Sequence, residues 1–227
     1  MQEIEKYLEL DSVKLKAFRR TLRRWGITNR RNFPWRQTTN PYNVLIAEML
    51  LQATTAGKVV PVYEKFIARF PTPALLASAS VEEIEAMIRS LGLPGRARAI
   101  SKIAELLVRD YGGVVPNERV KLLDLPRVGE YTAGAVQSFA FGLPAAIPDT
   151  NVVRLLQRYF GLPQTRPSHR GSPGRGIVRV AKDVLPLHGT AEFNFAMLDF
   201  GSLICTSRSP KCETCPLASH CCEVVEA

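Results

Sequence analysis

Between residues 42 and 54 the chain is apolar on nearly every side a helix can present, and Glu48 is the charge inside the run. Elsewhere apolar positions return every three or four residues with charges between them, the period of a helix with one buried face. That pattern predicts a first helix from Asp11 or Ser12, either of which can cap it, with Arg and Lys up to Arg24 forming a basic outer face. It predicts further helices over 59–69, stopped at Phe70-Pro71; over 81–89, announced by the capping box Ser80-Val81-Glu82-Glu83; and over 96–111, closed by Gly112-Gly113. Val120, Leu122, Leu123 and Leu125 end a short helix, and Ala133, Val136, Phe139 and Ala140 are the buried face of the next. Asp149 caps a helix through Phe160, and helices resume from about Ile177 and over 191–204.

The breaks are as readable as the helices. Pro34 and Asn40-Pro41 make 30–41 a loop. The stretch 162–176, with three prolines and repeated Gly, Ser and Arg, reads as a mobile loop. Almost nothing alternates with period two and no unit repeats, so the expected class is all-α.

At 227 residues and 46% hydrophobic, the chain can bury the core of one large domain or two small ones, which sets disorder aside. A net charge of +9 suits a polyanionic partner without selecting one. Met1-Gln2-Glu3-Ile4-Glu5-Lys6 has no apolar signal core, and apolar runs such as 44–51 fall short of a membrane span, so an intracellular protein with no membrane segment is expected. All five cysteines, Cys205, Cys212, Cys215, Cys221 and Cys222, crowd the C-terminal end, which suggests a metal site rather than a disulfide framework.

The chemistry gathers at three places. In Leu125-Pro126-Arg127-Val128-Gly129 a tight turn opens a helix, whose first N–H groups lack internal partners and suit a phosphate, with no acid before Glu130. Read alone, the motif is more simply a plain corner between helices. Asp149 alone is an N-cap, and Glu48 is either an arginine's structural partner or an acid whose pKa burial raises. Thiolates spaced Cys205-x6-Cys212-x2-Cys215-x5-Cys221 can converge on one metal centre; zinc stays open, although a zinc ribbon would have two close pairs.

Together these stretches resemble a known family. Leu125-Pro126-x-Val128-Gly129 followed by Tyr131-Thr132-Ala133-Gly134-Ala135-Val136, then Asp149 in Ile147-Pro148-Asp149-Thr150-Asn151-Val152, resemble the helix-hairpin-helix and Gly-Pro-Asp signature of the base-excision DNA glycosylases of the endonuclease III superfamily. Phe33-Pro34-Trp35-Arg36, Pro41-Tyr42 and Glu48-x-Leu50-Leu51-x-x-Thr54-Thr55-Ala56-Gly57 resemble archaeal mismatch-specific thymine glycosylases, and the same region resembles adenine glycosylases, which place Glu at this position. The cysteine run, preceded by Asn194-x-Ala196-Met197-x-Asp199-x-Gly201-x-x-Ile204-Cys205, resembles the 4Fe–4S loop of endonuclease III relatives. The matches extend over about 33–221.

The resemblance implies two α-helical lobes with a DNA-binding groove between them: a continuous one over 36–147, and one made from 1–35 and 148–227 that carries the cluster loop at 205–221. It implies a 4Fe–4S cluster on Cys205, Cys212, Cys215 and Cys221, with Cys222 a non-ligand and with Arg208 and Lys211 set against the DNA backbone. Arg127, Val128 and Gly129 then grip a phosphate; glycine is usual where Arg127 stands, so this turn is expected to be strained. Asp149 stabilises positive charge on the deoxyribose, and Glu48 protonates the departing base. Tyr131 stands where bifunctional relatives carry a lysine and cannot form an imine, so hydrolysis stops at an abasic site. Gln52 or Leu93 fills the gap left by the extruded base.

The Thr-Thr-Ala-Gly run and Tyr131 suit T or U opposite G. Gln52-Ala53 and Leu93-Pro94 depart from the adenine pattern, and the chain stops just after Cys222, where adenine glycosylases continue into a recognition domain. Excision of A opposite 8-oxoguanine is the alternative. A non-catalytic helix-hairpin-helix module would have no need of Asp149 and Glu48 facing a polyanion. The expected partner is double-stranded DNA holding a mismatched or damaged base, bound by a monomer in the cytoplasm, at the nucleoid in a prokaryote.

Overall fold

One aspartate starts the first helix. Asp11 Oδ1 accepts from Val13 N at 2.7 Å and Lys14 N at 3.2 Å, and α1 (Ser12–Asn29) follows. The computed structural model describes residues 10–163 and 174–225, and among these there are helices and no strands. The others are α2 (Pro41–Leu51), α3 (Ala56–Arg69), α4 (Pro73–Ala77), α5 (Val81–Ile88), α6 (Arg96–Tyr111), α7 (Arg119–Leu123), α8 (Glu130–Phe139), α9 (Thr150–Phe160), α10 (Arg175–Asp183), α11 (Thr190–Leu203) and α12 (Cys222–Val225). Most of the expected mobile loop, 164–173, lies outside the described residues. No described helix is long and apolar enough to cross a membrane. The chain divides into two units, Met1–Arg31 with Pro144–Ala227, and Asn32–Leu143.

In the first unit, Phe18 and Leu22 of α1 meet Leu155, Leu156 and Tyr159 of α9 and Phe193, Met197 and Phe200 of α11, all buried. Phe18 lies 4.8 Å from Tyr159 and 6.1 Å from Phe193, centroid to centroid. Each such side chain contributes about 1.5–3 kcal/mol on burial. α1 continues past Arg24, and its close approach to α11 requires Gly26: a Cβ there would stand 2.7 Å from Ala196 Cβ. Arg31, just past α1, donates from Nε to the buried Asp199 Oδ1 at 2.7 Å and from its backbone N to Oδ2 at 2.9 Å. Asn194 Nδ2 donates to Ala145 O at 2.9 Å.

The second unit is built around α2. Asn40 Oδ1 accepts from Tyr42 N at 2.9 Å, Pro41 takes the first helical position, and every residue from Val44 to Leu50 is buried, Glu48 included. α3, α6 and α8 pack on it. α3 starts earlier than the expected 59 and carries Pro61 inside it; Gly57, whose carbonyl that proline cannot pair, is exposed. The short α4, capped by Thr72 Oγ1 on Leu75 N at 3.3 Å, had no periodic signal at five residues and was not predicted. α7 and α8 enclose the hairpin, as expected.

α9 and α11 pack most tightly at Gly201, where a Cβ would lie 2.8 Å from Asn151 O and 2.9 Å from Asn151 Cβ. Gly201→Ala is therefore expected to cost about 1–3 kcal/mol through forced displacement. Chemical denaturation followed by circular dichroism measures this; an unchanged midpoint would show that α11 shifts freely.

Candidate functional site

Asp149 caps α9 with its carboxylate. Its Oδ1 accepts from Val152 N at 2.7 Å, and its Oδ2 accepts from Asn151 Nδ2 at 2.9 Å. Burial pushes its pKa above the ordinary aspartate value, and the Val152 and Asn151 donors and the Arg154 charge oppose that rise. Asn151 Oδ1 in turn accepts from Arg154 at 2.9 Å, and the same guanidinium donates to Gly201 O at 2.6 Å and Cys205 O at 2.9 Å. A continuous hydrogen-bonded line thus runs from the carboxylate to the first cysteine. One turn on, Arg158 donates to Thr206 O at 2.7 Å and to Ser207 O at 3.2 Å. Sequence reading missed Asn151, Arg154 and Arg158. Their signal was the i, i+4 pair of arginines on a helix capped by the candidate acid.

Cys205, Cys212, Cys215 and Cys221 are half-buried thiols lining one cavity with Leu155 and Phe200, and Cys222 is not in its wall. Burial chiefly, and then the neighbouring cysteines, push the Cys215 and Cys221 thiols up, so each feels the others' charge. Among the described residues no three His, Cys, Asp or Glu side chains gather closely enough for a single metal ion. Soft thiol donors around one cavity fit a larger iron–sulfur group, whose iron supplies the charge that keeps the thiolates ionised. Cys222 Sγ instead accepts from Lys14 Nζ at 2.8 Å, and a Cβ on Gly161 would lie 2.9 Å from it.

In the second unit the hairpin has the strain expected of its sequence: Arg127 has φ +60°, the left-handed region glycine prefers. Val128 is buried and Gly129 exposed, and Val128 N closes the turn on Leu125 O at 3.1 Å. Gly129 caps α8, whose first turn leaves N–H groups outside the helical ladder. Glu130 beside them is ion-paired with Arg119, which offsets the acid's charge at this anion-suited helix start. Arg119 also donates to Gln137 Oε1 at 3.2 Å.

Tyr131 is half-buried in the first turn of α8, which packs on the α2 helix that carries Glu48. Gln52 follows α2, and its Nε2 donates to Arg127 O at 3.1 Å, so this wedge candidate touches the hairpin. Leu93, half-buried at φ +67°, is the other. Glu48 and Tyr131 belong to one unit, and Asp149 and the cysteines to the other.

Comparison with known proteins gives this geometry its context. Residues 46–171 match the HhH-GPD superfamily base excision DNA repair proteins, and residues 205–221 match the iron–sulfur binding domain of endonuclease III. The chain is 41% identical over 195 residues to a thymine/uracil-DNA glycosylase of Pyrobaculum aerophilum, covering 85% of this chain and 84% of the relative. It is 38% identical over 209 residues to that of Methanothermobacter thermautotrophicus, covering 92% and 93%. Its structure resembles that of a thermostable thymine-DNA glycosylase with a TM-score of 0.87 at 38% identity, over 94% of this chain and 98% of the other. With an all-α fold, a helix-hairpin-helix, an aspartate at the head of α9 and an iron–sulfur binding domain behind it, the chain belongs to the HhH-GPD superfamily of base excision DNA repair proteins, whose partner is DNA.

Proposed function

We propose that the protein is a monofunctional DNA glycosylase that removes thymine or uracil opposite guanine from double-stranded DNA, working as a monomer and, in a prokaryote, at the nucleoid. The observation that carries the reading is Asp149: a carboxylate held at a helix start by Val152 N and Asn151 and still subject to a raised pKa. Breaking an N-glycosidic bond builds positive charge at the anomeric carbon. Asp149 stabilises that charge and directs the water that adds there. Glu48, buried in α2, passes a proton to the departing base. Tyr131 offers no amine, so the sugar is left as an abasic site with the strand intact.

Extruding the base costs a few kcal/mol, and least at a mismatch, which supplies part of the selectivity. Gln52 and Leu93 fill the space it leaves. Arg127, Val128 and Gly129 present the hairpin to a phosphate. Cys205, Cys212, Cys215 and Cys221 hold a 4Fe–4S cluster, which fixes the loop bearing Arg208 and Lys211 against the backbone. The choice of thymine and uracil is supported by relatives of that name aligned over most of their own length.

The test of substrate is a single-turnover panel. Release of T or U opposite G is expected to exceed release of A opposite 8-oxoguanine; adenine release with none from G·T or G·U would reverse the assignment.

Asp149→Asn retains the cap and loses the charge, so the excision rate is expected to fall roughly 10²–10³-fold with DNA affinity kept. Because the ionised form acts, the parent's rate should decline as pH falls through a pKa above the ordinary aspartate 3.8. Asn151→Ala removes a donor to the carboxylate and should move that decline to higher pH. A pH profile of single-turnover rates reads both effects, and an Asp149→Asn protein at parental rate would remove Asp149 from the chemistry.

Tyr131→Lys is expected to gain strand cleavage and an adduct with DNA that borohydride traps, whereas the parent forms none. Gel mobility of the reduced complex reports it. Trapping by the parent would defeat the monofunctional assignment.

A further inference from the structure

Among the described residues, Ala53 at φ +55°, Leu93 at +67° and Arg127 at +60° are the non-glycine residues in the left-handed region. All lie in the Asn32–Leu143 unit, in three separate turns: after α2, before α6, and in the hairpin. Side chains persist in that region only where their surroundings fix them. Here the fixing runs through Arg96, the first residue of α6, whose side chain is wholly buried.

Arg96 donates to Leu50 O at 2.8 Å and, from its other terminal nitrogen, to Gln52 O. Both acceptors are main-chain carbonyls where α2 ends, and the negative end of the helix dipole favours a cation there. The second acceptor belongs to the residue just before Ala53. Gln52 Nε2 donates to Arg127 O at 3.1 Å, and the Arg127 guanidinium donates to Pro94 O at 3.3 Å, directly after Leu93. Two residues on, the chain returns to Arg96. The circuit closes around the two side chains assigned above to the gap left by the extruded base.

We infer that Arg96 is a positioning residue for base extrusion: it fixes Gln52 and Leu93 relative to one another, with Arg127 as the outer tie, so that they enter the duplex as one preformed wedge. The inference rests on the gap-filling reading of Gln52 and Leu93. Pre-fixing both loops removes an ordering step that otherwise accompanies extrusion, and it sets their reach into the stack. A plain structural role for Arg96 would change stability and leave extrusion by the folded protein alone.

The test uses G·U duplexes with 2-aminopurine beside the uracil, whose fluorescence rises as the stack opens, with excision measured in parallel below the melting temperature of every variant. Arg96→Met is expected to slow the fluorescence rise and excision together, by roughly 10- to 100-fold. Arg96→Lys, which can serve one carbonyl as a point charge, should recover part of that loss. Arg127→Gly relieves a left-handed side chain and cuts the tie to Pro94 O, so it should melt no lower than the parent yet extrude more slowly when measured with the duplex saturated by protein, where a weaker phosphate grip does not enter the rate. Gln52→Ala and Leu93→Ala test the underlying reading: if both extrude at the parental rate, gap filling by these residues is wrong. If they are slow while folded Arg96→Met and Arg127→Gly extrude normally, the role of Arg96 is overturned. Should Arg96→Met fail to fold, a parental rate in Arg127→Gly alone overturns it.

Discussion

A helix ends on carbonyls that its own backbone leaves unpaired, and among the described residues three helices end on arginines brought from elsewhere in the same unit. Arg96 closes α2 through Leu50 O and Gln52 O. Arg19 closes α10 through Asp183 O at 2.6 Å, Val184 O at 3.0 Å and Leu185 O at 2.8 Å. Arg154 reaches Gly201 O and Cys205 O around the end of α11. A charged donor on a buried carbonyl contributes about 1.5–3 kcal/mol, and the helix dipole adds to it. Each of these ends leads into a turn or loop that the proposed chemistry uses or that connects the core, so the placement of those loops depends on how the helices are finished.

The same arginines show where many of the donors of this basic chain are engaged. Arg19, Arg96, Arg154 and Arg158 each donate to main-chain carbonyls. Arg31 is bound to the buried Asp199, and Arg119 to Glu130. A guanidinium suits such positions because it stays charged and carries donors in a planar fork. Fewer guanidinium donors are therefore open to DNA than the arginine content suggests, and these arginines join one segment of backbone to another.

This explains which parts of the molecule were legible in its sequence. Caps were readable because they are local: Asp11, Ser80 and Asp149 each bond N–H groups two or three residues ahead. The wholly buried α2 was readable from its unbroken apolar run, and the cysteine loop from its spacing. Arg127 could be expected to strain its turn because glycine is usual there, and it does. Nothing in residue type marks Ala53 or Leu93 as left-handed, since partners 33 and 44 positions away reach those turns. Arg96 reads as one more surface cation until its acceptors at Leu50 and Gln52 are seen. Likewise, only the tight approach of Ala196 shows what Gly26 does within α1, and only the exposure of Gly57 shows how α3 can begin ahead of Pro61.

Cys222 sits one position beyond the last of the four cysteines around the cavity, where an extra thiol is a hazard during cluster assembly. A thiol this near in sequence can compete for iron and trap a cluster in the wrong ligand set. Here its sulfur is turned to Lys14 on α1 and lies against Gly161 at the end of α9, outside the wall formed by the other four. Taking Cys222 as a ligand would break the contact with Lys14. The contact spans 208 positions of sequence, so the end of the cysteine run is tied to the first helix and the surroundings of Cys222 depend on how the N-terminal part of the chain folds.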